Sequence, residues 1–247
     1  MGCLEGRPEV EGGSSYSRES IEDLDRHHIE IGISLVTPDE KRRRRAFAKT
    51  VDAEAKRVAK ARGWKFSDGF IFRERVGWFI ELPLTAHLDQ AVTSARLHTK
   101  PIALDPVFWD IVGLPDNVAL PLSFRAKGAW TCTSPEIAEL VFEDADVEAA
   151  AIAERAIGWA DEQVSTRAAD WTLDGFIDHI SKHHRYIEAG SWLAALTAAL
   201  IIAGRIEVAR HACLAARERG IAGGFSVGGQ DFPAMALAWM ERSDTHC

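Results

Sequence analysis

A chain of 247 residues, 47% of them apolar, is long enough and apolar enough to bury a core of its own. Its formal charge of −8 excludes a general attraction to nucleic acid or anionic lipid and leaves only a local basic surface open to such partners. The four cysteines, Cys3, Cys132, Cys213 and Cys247, form no C-x-x-C pair, which excludes a zinc ribbon and a dithiol redox motif, and they read as reduced thiols of a cytoplasmic protein.

Residues 1–26 are rich in Gly, Ser, Glu and Arg with almost nothing to bury, so they predict a loose tail. Met1-Gly2-Cys3 hints at acylation, but Gly6 stands where that pattern requires Ser or Thr. Ile29, Ile31, Ile33 and Leu35 then alternate with their neighbours at the period of a half-buried strand. A helix follows: Thr37 can cap it, Pro38 suits its first position and Glu40 completes a capping box. Phe47, Val51, Ala55 and Val58 form its inward stripe, and Gly63 is placed to end it. This helix also carries Lys41, Arg42, Arg43, Arg44 and Arg45, cations that point all around the axis. They predict a solvated face or a dock for the acidic segment Glu136 to Glu154, with non-specific nucleic-acid contact as an alternative.

From Gly63 to Trp130 the pattern becomes short apolar bursts between turn residues, with Asp68-Gly69 as a hairpin signal. A meander of antiparallel strands is expected there, including one from Ala91 to Thr99 and a last one from Leu122 to Cys132 with Gly128 as a bulge. Phe108 to Val112 reads as a short helical turn. Pro101 and Pro106 are expected to hold the backbone extended between sheet and helix. Beyond Cys132 the whole chain reads as helix. Ser134 with Pro135, Asp146, Thr172, Ser191 and Asp231 are the starts, and Gly190, Gly204 and Gly220 the stops. Ser191 to Ala203 and Arg205 to Arg219 form the best-defined pair, and the run from Gly220 to Gly229 reads as a flexible connection. The most apolar stretch, Leu193 to Ala203, is too short to cross a bilayer, so no membrane partner is expected.

These elements give an α+β fold: a disordered tail over 1–26, an antiparallel sheet with a packed helix over 27–133, and a C-terminal helical bundle over 134–247. The succession Gly63-Trp64-Lys65, Phe70-Ile71-Phe72-Arg73, Trp78-Phe79, Lys100-Pro101, Leu104-Asp105, Phe108-Trp109-Asp110-Ile111 and Arg125-Ala126-Lys127-Gly128-Ala129 resembles a large family of bacterial proteins known only as a domain of unknown function. The resemblance covers roughly the first half of the chain. It implies an α+β domain in a bacterial cytosol, in some cases among conflict and toxin-immunity genes, and it implies no reaction.

Two constellations bear on function. Lys100, Asp105, Trp109, Asp110 and Arg125 either line a binding cleft where sheet meets helices or form a buried ion pair that pins this joint around Phe108 and Trp109. His179 and His183 stand one helical turn apart and could hold two corners of a metal site, with Asp174 or His211 as a third ligand in space. A polar stripe on a helix face accounts for the same histidines. No nucleophile elbow, phosphate-binding loop or zinc-hydrolase motif is present in the sequence, so no catalytic residue is assigned and no cofactor is expected. The expectation is a non-enzymatic bacterial cytosolic factor that binds another protein, of immunity or antitoxin type. A metal-dependent hydrolase using His179 and His183 is the first alternative, and a nucleic-acid accessory using Arg42–Arg45 the second.

Overall fold

The computed structural model describes residues 37–67, 69–87, 92–126, 130–143, 148–182 and 192–244. The tail expected over 1–26, the strand expected over Ile29–Leu35 and the helix signals at Asp146, Gly190 and Ser191 lie outside them.

Helix α1 (Pro38–Ala61) buries Val51, Ala55, Val58 and Ala59 along one stripe, with Phe47 packed at its margin, as the spacing predicts. Gly63, at φ +75°, turns the chain just past its end into the sheet. Arg42 pairs with Asp39, and Arg43 and Arg44 with Glu40, within the same helix. Further along, Arg57 and Arg62 reach Glu154, so part of the basic helix docks on the chain's own acids.

Strands β1 (Lys65–Ser67), β2 (Phe70–Arg75) and β3 (Trp78–Glu81) form successive hairpins. Ser67 faces Phe70 across the turn expected at Asp68-Gly69. Strands β3 and β4 (Leu84–His87) share one register along β5 (Val92–Pro101), with Trp78 opposite Pro101, Glu81 opposite His98 and His87 opposite Val92. They are one strand interrupted at Pro83, which has no N–H for a ladder. Along the other edge of β5 runs β6 (Glu136–Glu143), completing a six-stranded antiparallel sheet.

Strand β6 corrects the expectation that all residues beyond Cys132 are helical. Glu136 to Glu143 has the composition of an amphipathic helix, but seven pairings along β5 decide its conformation. Its alternation of Ala138, Leu140 and Phe142 with Glu139, Val141 and Glu143 was the legible signal. A second correction concerns Leu122 to Cys132: Ser123–Ala126 forms one helical turn, α3, rather than a strand. An extended run from Arg125 to Cys132 would span about 23 Å, whereas both residues contact the same Asp105 carboxylate. Helix α2 (Leu104–Ile111) begins earlier than expected and includes Pro106 in its first turn, where no intrahelical N–H is needed.

The remaining α-helices among the described residues are α4 (Ala149–Arg167), α5 (Leu173–Lys182), α6 (Leu193–Ile202), α7 (Ile206–Glu218) and α8 (Phe232–Asp244). Thr172 caps α5 by accepting from Gly175 N at 3.0 Å, and Asp231 caps α8 by accepting from Ala234 N at 2.9 Å, both as the sequence predicts. The glycine-rich run is not merely a connection: Ser226–Val227 (β7) and Gln230–Asp231 (β8) pair across Gly228-Gly229.

Among the described residues two large hydrophobic cores form, with a smaller cluster of Phe72, Phe79 and Ala126 beside them. One sheet face carries Ile71, Ile80, Leu82, Ala95 and Leu97 against α1 and α4. The other core gathers Leu104, Phe108 and Trp109 of α2 with residues of α5 to α8. Each core draws from both sides of the boundary expected between 133 and 134, and residues 38–247 form one compact unit.

Candidate functional site

Alternation along β5 divides the sheet's two faces. Ala95, Leu97 and Thr99 are buried on or beside the α1 and α4 side, while Arg96, His98 and Lys100 point the opposite way. Lys100 reaches furthest into the protein. Its Nζ donates to Asp105 Oδ1 at 2.8 Å and to the Cys132 carbonyl at 2.6 Å, and it lies 5.7 Å from the centroid of Phe79. Asp105 Oδ1 also accepts from Cys132 N at 2.9 Å, and Arg125 Nε stands 3.1 Å from Asp105 Oδ2. That last contact is an ion pair without hydrogen-bond geometry, and Oδ2 and Nε have no hydrogen-bond partner among the described residues. The Arg125 guanidinium lies over Trp109, 4.9 Å from the ring centroid, and Trp109 Nε1 donates to the Trp130 carbonyl.

Of the five residues singled out in the sequence, four therefore converge. Lys100, Asp105 and Trp109 are fully enclosed, as the buried ion-pair reading requires, and cannot touch a ligand; Arg125 alone of them reaches a cavity wall. Asp110 goes elsewhere, accepting from Trp239 Nε1 at 2.6 Å and tying α2 to α8. Burying a cation and a carboxylate yields little net stability, but removing one partner strands the other and costs about 3–5 kcal/mol. The network's work is positional. It fixes the β5 end, the α2 start, α3 and the Thr131–Pro135 segment against one carboxylate.

Beside this network opens a cavity of about 720 Å³. Its walls include Glu81, Arg96 and His98 of the sheet, Arg125, the Thr131–Glu136 segment, His179 and Ile180 of α5, Trp192 and Phe225. Glu81 lies opposite His98 in the β3–β5 ladder, and His98 lies opposite Glu136 in the β5–β6 ladder, so three ionisable side chains form one row across the sheet. Directly opposed side chains have Cβ atoms about 5 Å apart. Burial pushes the Glu81 carboxyl up to about 7, against the downward pull of Lys100 and of a hydrogen bond from the Ser134 side chain. Ser134 also accepts through its carbonyl from His98 Nδ1 at 3.0 Å. A carbonyl oxygen only accepts, so Nδ1 carries the proton and Nε2 is left as the basic nitrogen of the neutral ring. Arg96 is held by Glu139 at 2.8 Å and approaches Glu136 at 3.7 Å.

His179 lines this cavity, while His183 lies outside the described residues. Asp178 pairs with Lys182 and Asp174 with Arg205, and among the described residues no group of three or more His, Cys, Asp or Glu is placed to hold a metal. Sequence reasoning missed Glu81, Arg96, His98 and Glu136. The available signal was the run Arg96-Leu97-His98-Thr99-Lys100, whose polar side alternates with apolar residues in the strand at the heart of the sheet. A central strand with one charged face marks a site facing something other than core.

These features define a mixed α+β protein with an antiparallel sheet toward its N-terminal side and a polar cavity beside the helical region. Compared with protein-family models, curated proteins and solved structures, the chain has no match. Among the described residues no helix is long and apolar enough to cross a membrane.

Proposed function

We propose that the protein acts as a binding factor that takes a polar segment of a partner protein into the cavity between the sheet and α5. The observation that carries this reading is the convergence of Arg96, Arg125, Glu136 and His179 with the apolar surfaces of Trp192 and Phe225 around one space of about 720 Å³. Such a mixture of a few oriented charges with aromatic walls is what a specific site needs. A protein suits it better than nucleic acid, because the chain carries a net charge of −8 and Arg42, Arg43 and Arg44 are paired with acids of their own helix.

A photo-crosslinking residue placed at Thr133, on the cavity wall, tests this reading in extracts of the native host. The expected result is one crosslinked protein, identified by mass spectrometry, whose purified form binds at least tenfold more weakly to the Arg96→Glu variant. Reversal at Arg96 sets a third carboxylate beside Glu136 and Glu139, so a thermal melt of the variant accompanies the binding measurement and separates loss of binding from loss of fold. A partner that crosslinks from the exposed Leu214 of α7 but not from Thr133 would place binding on another surface.

A further inference from the structure

We propose that the cavity also has a hydrolytic activity of its own, cleaving small carboxylic esters with His98 as general base and Glu81 as general acid. The activity does not require the partner protein, so it stands or falls apart from the binding reading.

The argument begins with tautomer and position. His98 Nδ1 is committed to the Ser134 carbonyl at 3.0 Å, which holds the ring in place and leaves Nε2 as its proton acceptor. The ring lines the cavity directly across the ladder from Glu81, which also lines it. Ser134, which also lines the cavity, accepts from His98 through its carbonyl. Two adjacent ionisable groups whose surroundings favour opposite roles are the usual signature of acid–base chemistry. Burial keeps the Glu81 proton on near neutrality, so an acid and a base coexist at the same pH.

The step balances with water as co-reactant. His98 Nε2 removes a proton from a water molecule as its oxygen bonds to the ester carbonyl carbon, with Arg125 as the cation on the wall for the developing oxyanion. The tetrahedral intermediate collapses by breaking the bond between carbon and the alcohol oxygen, and Glu81 gives its proton to that oxygen. The imidazolium proton then restores Glu81 to its acid form. The sum is ester plus water to acid plus alcohol. No metal enters the step, and His183 is not used.

The test is turnover of ethyl acetate and ethyl butyrate, followed as acid release, by the full chain across pH 5 to 9, because an alkoxide leaving group needs the proton that Glu81 supplies. The groups facing the pair are Arg96, Arg125, Cys132, Glu136 and His179 on the cavity wall, with Lys100 and Asp105 behind it, and all are retained in the variants compared. Wild type should show kcat/KM falling above about pH 7, as Glu81 loses its proton. His98→Gln should lose at least 100-fold, the scale of one positioned acid or base. Glu81→Gln should lose the alkaline limb, while His211→Gln on exposed α7 keeps the wild-type rate. Wild-type turnover no faster than equimolar imidazole, or full activity in His98→Gln, would overturn the proposal. Should His98→Gln not fold, carbethoxylation of wild type takes its place: inactivation must track modification of His98, and activity that survives it also overturns the proposal.

Discussion

At the scale of single residues, the ionisation of Glu81 is bound to the fold. Its carboxyl titrates at about 7 in the folded protein against an ordinary value of 4.5, chiefly because burial disfavours the anion. Between those values the folded state holds the proton and the unfolded state does not, so stability falls as pH rises from about 4.5 to about 7 and then levels. The shift corresponds to at most about 3 kcal/mol. Denaturant unfolding from pH 4.5 to 8.5 should show this loss in wild type and its absence in Glu81→Gln; parallel curves would refute the assignment. Cys132 behaves in the same direction, its thiol pushed well up by burial and by Asp105, so it is a poor nucleophile despite lining the cavity. Lys100 differs from both, because every contact it makes is internal and its role is to hold Asp105 and Cys132 in place.

At the scale of elements, the β2–β3 hairpin carries a conflict between residue and conformation. Arg75 pairs with Trp78, so Val76 and Gly77 are the whole turn, at φ +51° and +76°. Gly77 suits that turn, but Val76 is β-branched, left-handed and 84% exposed. Nothing packs it into this conformation, so the register of the two strands imposes it. Val76→Asn should raise stability by about 1 kcal/mol, the order of the left-handed penalty relieved, in a thermal or denaturant melt. An unchanged or lowered midpoint would show that the valine is held by something other than its turn. A different element, α4, is anchored by Asp161, which accepts from Trp64 Nε1 at 3.0 Å and Arg73 Nη1 at 2.8 Å. Those bonds tie a helix from the second half of the chain to the first strands of the sheet, and burial pulls the Arg73 guanidinium down while Asp161 pulls it up.

At the scale of the whole molecule, the two cores are interleaved rather than sequential. Helix α2 precedes residue 133 yet packs with α5 to α8, whereas β6 and α4 follow it yet complete the sheet layer. A fragment spanning 38–133 would expose one flank of β5 and the sheet face that α4 covers, and would strip Phe108 of its contacts with Phe225 and Phe232. It should show no cooperative unfolding transition by circular dichroism, and neither should 134–247, while 38–247 melts in one step. Cooperative melting of either fragment alone would restore the boundary that composition suggested.

What the sequence alone determined were the local features, whose causes lie within a few residues. The stripe of Val51, Ala55 and Val58, the turn at Gly69, the caps at Thr172 and Asp231 and the stops at Gly204 and Gly220 all follow from periodicity or dihedral preference. It also grouped Lys100, Asp105, Trp109, Asp110 and Arg125, of which all but Asp110 meet, because charged residues set among prolines and large aromatics must be satisfied inside. Tertiary structure decided the rest. Glu136 to Glu143 is a strand only because β5 offers it a ladder, and Ser123–Ala126 coils only because Arg125 and Cys132 share one carboxylate. The row of Glu81, His98 and Glu136 spans three strands separated by up to 55 positions of chain, and no local pattern can report which residues a sheet register will set side by side.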